Sequence, residues 1–361
     1  MWGSRASVCD VSLPPELLSR LERALADDVT PGGVIAVAPR DQATIIHAFG
    51  ARARDGRPTE PDVRYDLASL TKVVATLPAI LHLLTSRSIL LDDTVGRFFP
   101  AAGWFQRPSL ADVTIRMLLT HTSGLAAWTP LYAHVASRSQ ALAHVLNDPV
   151  RPPGDVLYSD LGYMLLGAIV ERVTGDRLDH FVHREVFTPL AMSETQFGPL
   201  RDVPSAPTEN CGWRNRWLEG EVHDENAVVW DGVAGHAGAF GTARDVARYA
   251  RAWLELDERM AAGPWLAEAT REHAISHEGG RRGLGWQLGG PGSVGGADAP
   301  HGSYGHTGFT GTSLWIEPDL GVATVLLTNR VHPRRGSADG IQALRRHVHS
   351  LVRTLFGKEN R

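Results

Sequence analysis

The chain is short of lysine. Of its 36 lysines and arginines only two are lysine, Lys72 and Lys358. Cysteine is equally scarce: Cys9 and Cys211 are too few for a disulfide framework and lack the spacing of metal ligands, so both are read as free thiols. Nor is there a charge excess, since 36 basic and 40 acidic residues leave a formal net charge of −4. That balance gives no electrostatic ground for nucleic acid or an anionic membrane surface as a partner. No stretch reads as the ~18 or more apolar residues of a membrane span. The N-terminal MWGSRASVCDVSLPPELL lacks the apolar core of a signal peptide, which makes the cytoplasm the default location.

Other absences remove whole function classes. No GxSxG elbow occurs, which argues against an α/β-hydrolase. No HExxH occurs either. Among 16 histidines, His180 and His183 stand three apart in HFVH but fall short of a zinc pattern. Gly235, Gly238 and Gly241 do not follow a strand in a phosphate-loop pattern, so nucleotide binding is unsupported. Neither a metal nor a cofactor is expected.

What remains is an ordinary globular chain of 361 residues, 43% hydrophobic and 21% charged, long enough for about two domains. Apolar spacing predicts a first helix over 14–28, then a strand hairpin over 32–40 and 43–51. Helical patterns follow at 69–87, 111–120, 137–147, 160–174, 178–187 and 242–256, the last opened by a capping box of Thr242 and Asp245. Strands return in GLGWQLG, SYGHTG, TSLWIEP and GVATVLLTN, with Gly-rich 289–302 as a flexible connector, before a final helix over 337–356. Strands at both ends predict an α/β (α+β) architecture. Segments 14–65 and 260–356 form an antiparallel sheet flanked by terminal helices, and 66–259 forms an inserted, mainly helical domain. The cleft between them is a natural place for a small-molecule site.

Lysine is also informative where it does occur. Lys72 lies in SLTKVVATLPAILHLL, an apolar run where an unpaired ammonium is costly. On a helix, Ser69 and Lys72 share a face, and Ser69 falls in the first turn, where free N–H groups favour negative charge. A serine hydroxyl needs a base to become a nucleophile. Lysine is that base if apolar surroundings lower its pKa from ~10.4 towards 7–8, a change closed to arginine. The competing explanation is a lysine whose stem packs in the core while its head pairs with an acid.

Two further sites have the same ambiguity. In YSDLGYMLLGAIVERVTG, Tyr158 at the mouth of an apolar helix can relay a proton to a leaving group, or it simply packs there with Asp160 as helix cap. In YGHTGFTGTSLWIEPD, a strand with small residues can offer the Phe309 N–H to an oxyanion alongside that of Ser69. Otherwise His306 is a satisfied surface histidine at a Gly-rich bend.

Taken in order, SLTK, YSD and HTG resemble the three motifs of the serine β-lactamase and penicillin-binding protein superfamily, most closely its class C, esterase and DD-peptidase branch. MLLTHTSGL (117–125) supports the match, which runs from about residue 30 to 335. The resemblance implies a sheet domain with a helical domain and an acyl-serine intermediate. It implies Ser69 as nucleophile, Lys72 as its base and Tyr158 as proton shuttle, with His306, Thr307 and Gly308 beside the substrate. Two positions depart from the family pattern: Asp160 stands where the family has Asn, and His306 where Lys is common. An ionised Asp cannot donate to a β-lactam side chain. A largely neutral His weakens a fixed positive charge for a substrate carboxylate. The expectation is therefore a serine hydrolase of esters or amides rather than an efficient β-lactamase.

Residues 221–249 resemble a segment of bacterial cell-wall-recycling hydrolases, among them muramoyl-alanine amidases. His223, Asp224, Asn226 and His236 on this loop either read a muropeptide or hydrogen-bond among themselves. A different class, a β-lactam or muropeptide receptor without turnover, has no need of a titratable lysine.

Overall fold

A computed structural model describes residues 13–53, 55–100 and 108–359. Eight antiparallel strands form the main sheet. Their spatial order is Ile45–Gly50, Gly32–Pro39, Val322–Thr328, Ser313–Glu317, Tyr304–Thr307, Gln287–Leu288, Arg281–Arg282 and Ala274–Ile275. The strand from residue 32 pairs with that from 322, Gly33 opposite Thr328, so the two ends of the chain close the sheet centre.

Both central strands are buried along their whole length and mostly apolar because both faces of the sheet are covered. Ile35, Val37, Val322 and Leu326 face a layer made by the terminal helices Pro15–Ala26 and Asp339–Glu359. Val34, Ala36, Ala323, Val325 and Leu327 face the larger core shared with the intervening helices. Helix Ala243–Glu255 packs on this second face against the strands from 32 and 322. Thr242 caps that helix through the Asp245 N–H, but the expected reciprocal bond is missing. The Asp245 carboxylate turns instead to Glu194 N and Thr195 Oγ1.

The run expected as one helix over 69–87 is built in three pieces. Ala68–Leu70 is a 3₁₀ turn, Lys72–Thr76 a π turn, and Leu77–Thr85 an α-helix. With three residues per turn, a 3₁₀ start stacks Ser69 over Lys72. In the π turn Leu77 N bonds Lys72 O, five residues back. Pro78 comes next and has no N–H to continue the series, which frees the carbonyl of Val73. The Tyr249 hydroxyl donates to that carbonyl. Residues 68–85 have a hydropathy of 1.4, enough by length and composition for a membrane span, which corrects the sequence-based expectation. The segment is 83% buried inside the protein and is its core helix.

Glycines let this helix be approached closely. A Cβ on Gly235 would lie 2.0 Å from Tyr163 O, so the 234–241 segment threads between the core helix and helix Asp160–Thr174. Thr76 Oγ1 donates to Gly235 O at 2.6 Å and locks the crossing. The Gly-rich connector is tethered too, with Arg353 donating to Gly295 O.

Tyr249→Phe strands the buried Val73 carbonyl and should cost about 1–3 kcal/mol in denaturant unfolding. Adding Pro78→Ala supplies a backbone N–H in place of the lost hydroxyl and should recover most of that loss, a non-additivity readable in a double-mutant cycle.

Candidate active site

One cleft of about 680 Å³ gathers nearly every residue singled out in the sequence: Ser69, Tyr158, Asp160, His223, Asp224, His306, Thr307, Gly308 and Phe309. Lys72 lies beneath its floor, fully buried. Local structure explains the convergence. Ala68 has φ +46, a left-handed conformation unusual for alanine, and Asp66 Oδ1 holds its N–H at 2.8 Å. The turn is thereby bent so that Ser69 opens into the cleft. Gly308 meets the same turn from the sheet side. A Cβ there would lie 2.4 Å from Leu67 O, so only glycine brings the end of the 304–307 strand against the serine. Thr310 Oγ1 donates to Asp66 O and Thr312 Oγ1 to Leu67 O, fixing the junction.

Lys72 Nζ donates to Ser69 Oγ at 2.9 Å and to His236 O at 3.1 Å, and pairs with Asp160 Oδ1 at 2.7 Å. Two hydrogen bonds and one ion pair thus surround the ammonium. Burial pulls the Lys72 pKa down, but the Asp160 carboxylate and Tyr158 together outweigh it, and the net direction is upward. The expectation of a lysine neutralised by apolar surroundings is therefore corrected. Of the two explanations left open by the sequence the second holds, since the head pairs with an acid, and the same head still reaches the serine.

Tyr158 lies beside Lys72, whose Nζ is 5.0 Å from its ring centre; burial lifts the phenol pKa, and Lys72 and Ser69 oppose the rise. The cap of helix Asp160–Thr174 is Ser159, whose Oγ accepts from Gly162 N, not Asp160, which is free to meet Lys72. Behind Tyr158 packs His121, ring centroids 4.6 Å apart, with Nδ1 accepting from Ser159 N. His121 lay inside a quoted phrase, yet nothing in the sequence marked its contact.

His306 is buried rather than a surface residue. Its Nδ1 donates to Thr307 O at 2.8 Å, leaving Nε2 as a bare acceptor without a partner. Burial, aided by Lys72 and Arg282, drives its pKa well below the ordinary value, so the ring is neutral. The positive charge of the cleft comes instead from four arginines that sequence reasoning missed: Arg282, Arg330, Arg335 and Arg345. Arg282 has no carboxylate within ion-pair distance among the described residues, and its guanidinium lies 5.8 Å from the Tyr158 ring centre. In a chain with 34 arginines, one facing a cleft carries no linear signal.

The 221–249 loop bonds largely with the protein itself. Asp224 caps the short helix Glu225–Val229 and pairs with His236 Nε2 at 2.9 Å; burial opposes its ionisation, but His236 together with the Ala227 N–H and His223 holds it below the usual carboxylate range. His223 pairs with Glu209 and stacks on Phe309 at 5.6 Å. Glu209, Cys211 and Glu225 bring possible metal-ligand atoms within 4.8 Å of one another. Arg335 bonds both of those carboxylates, so the protein's own cation fills the place. Cys211 is free and buried; Cys9 lies outside the described residues.

The Beta-lactamase family model matches residues 18–348. The chain belongs to the β-lactamase family. Among relatives of this family member, the N-acetylmuramyl-L-alanine amidase of Bacillus subtilis (strain 168) is 30% identical, with 87% of this chain and 81% of that protein covered. The fold is shared with EstCE1, a hydrolase with promiscuous acyltransferase activity, at TM-score 0.78 and 22% identity, covering 95% of this chain and 100% of that one. It is shared also with the octameric penicillin-binding protein homologue from Pyrococcus abyssi, at TM-score 0.75 and 21% identity, covering 95% and 77%. The protein is a β-lactamase-family serine hydrolase acting on amide or ester bonds.

Protonation of Lys72 gives a test. The pH profile of kcat/KM should lack an ascending limb near about pH 7–8, the limb a neutralised lysine base produces. Asp160→Asn removes the counter-charge, leaves burial dominant and should bring the lysine's titration down into the neutral range. A parent profile rising through about pH 7–8 would contradict the ammonium.

Proposed function

We propose that this hydrolase cleaves an amide of anionic cell-wall fragments, as in peptidoglycan recycling, with Ser69 as the nucleophile. The observation carrying the proposal is the Ser69 Oγ to Lys72 Nζ contact of 2.9 Å at the floor of an arginine-lined cleft. Ser69 Oγ attacks the carbonyl carbon while its proton passes to Tyr158 Oη. The proton of Tyr158 passes in the same step to the departing nitrogen. The phenol thus needs no prior ionisation, and the Lys72 ammonium stabilises the phenolate character that develops. Asp160 keeps Lys72 charged throughout. The Ser69 and Phe309 N–H groups receive the oxyanion. Water then reverses the relay, releasing the acid and restoring Ser69.

Substrate class follows from charge and shape. Arg282, with no carboxylate at ion-pair distance among the described residues, offers a bidentate fork to an anionic group of the fragment. Trp128, 48% exposed on the cleft rim, offers an indole face to a sugar. The amidase name of the Bacillus relative supports an amide bond. Neutral His306 and the paired Asp160 disfavour efficient β-lactam turnover.

Intact-mass spectrometry after exposure to p-nitrophenyl acetate, muropeptides and β-lactams should show a transient acyl adduct on Ser69, absent in Ser69→Ala. Muropeptide should be turned over and β-lactams at most retained. Lys72→Arg should be nearly as inactive as Ser69→Ala, because a planar guanidinium does not fit the space of an ammonium set among Ser69, Asp160 and the His236 carbonyl, and Tyr158→Phe should lose on the order of 10²-fold or more. Near-parent rates in Lys72→Arg or Tyr158→Phe would refute the relay.

A further inference from the structure

The helix Asp339–Glu359 does more than cover the sheet. Arg345, His349 and Arg353 recur every four residues, and this stripe follows the Ser313–Glu317 strand. His349 Nε2 meets Ser313 Oγ at 3.1 Å, and Arg353 Nε donates to the Glu317 carboxylate at 3.0 Å. Arg345 breaks this pattern of side-chain partners. It is 6% exposed, and its Nη2 donates to two backbone carbonyls, Gly308 O at 2.6 Å and Thr312 O at 2.8 Å. Among the described residues no carboxylate lies within ion-pair distance of it. Burial, with Arg330 nearby, pushes its pKa down to about 9, still a cation at neutral pH.

A buried guanidinium without a counter-ion is costly to keep, and the carbonyl it grips gives the reason. Gly308 C=O and Phe309 N–H belong to one planar peptide unit, through which electron density is delocalised. A cation bonded to the oxygen withdraws density from the nitrogen and makes its N–H a stronger donor. Chains of hydrogen bonds polarise one another in this way, most of all where the local dielectric is low. The second bond, to Thr312 O, adds fixity. Gly308 N donates to the same Thr312 carbonyl at 2.8 Å, so Arg345 spans both ends of the 308–312 turn. Arg330 Nε also donates to Phe309 O at 3.0 Å, pinning the following peptide.

We infer that Arg345 is a positioning residue for acyl transfer, which orients and polarises the Gly308–Phe309 peptide so that the Phe309 N–H binds the oxyanion more strongly. The inference rests on the acyl-Ser69 reading and assigns a role in the reaction to the C-terminal helix.

The probe is p-nitrophenyl trimethylacetate carrying ¹³C at its carbonyl, which leaves a slowly hydrolysed acyl group. Stopped-flow release of p-nitrophenol gives the acylation rate, and difference infrared spectroscopy gives the acyl carbonyl stretch inside the site. Arg345→Met should acylate about tenfold or more slowly, below the 10²–10³ typical of deleting an oxyanion donor outright. KM should change little, and the carbonyl band should move to higher frequency as polarisation weakens. Arg345→Lys, retaining charge, should recover part of both. Should Arg345→Met fail to fold, Arg345→Gln, which keeps a donor without charge, carries the same comparison. A parent-like rate overturns the inference. So does a slower rate with an unmoved band, which would mark a purely structural role. Absence of any adduct on the parent's Ser69 would sink the nucleophile assignment and this inference with it, whereas a normal adduct and an unmoved band sink the Arg345 role alone.

Discussion

A single buried ammonium organises this protein. Lys72 is entirely withdrawn from solvent, and a charge so placed is tolerated only if each N–H finds an acceptor. Its partners come from three parts of the fold: Ser69 on the adjoining turn, Asp160 at the start of another helix, and the backbone of His236 on the loop before residue 239. Satisfying one cation therefore requires the core helix, the helix from 160 and the 234–241 segment to converge. The cleft is a consequence of that convergence.

Close backbone approaches make the convergence possible. Gly235 admits the loop beside Tyr163, and Gly308 admits the sheet beside the nucleophile turn. Asp66 joins the same assembly from a third side, accepting Ala68 N and His223 N through its two oxygens. The site is thus framed by main-chain contacts, and its polar side chains are held by packing rather than by solvent-exposed pairs. Such framing suits chemistry that depends on donors fixed in advance of the reaction.

The two departures from the family pattern act together on charge. Asp160 supplies a negative partner where an amide is usual, which holds Lys72 as a cation. His306, neutral and buried, gives up the charge that a lysine would bring. Arginines lining the cleft provide positive charge instead, Arg282 on strand 281–282 beside the Tyr158 ring and Arg345 on the C-terminal helix. The result is a site in which Lys72 stays charged and His306 stays neutral through neutral pH.

Much of this was readable along the chain, because it depends on local spacing. Terminal strands with alternating cores, the i to i+3 relation of Ser69 and Lys72, and the ordered SLTK, YSD and HTG motifs each involve a few neighbouring residues. They were enough to name the family branch and the residues around the nucleophile, though not the cleft's arginines. The protonation of Lys72 was not readable, because it depends on Asp160, 88 positions further on, coming within 2.7 Å. The π turn was hidden for the same reason: its freed carbonyl is answered by Tyr249, far along the chain. Arginine's abundance concealed which guanidiniums face the cleft. Periodicity and motif order are properties of short segments, whereas a pKa, or a cation lacking a partner, is the sum of long-range Coulomb and desolvation effects. Those effects have no value until the segments are brought together.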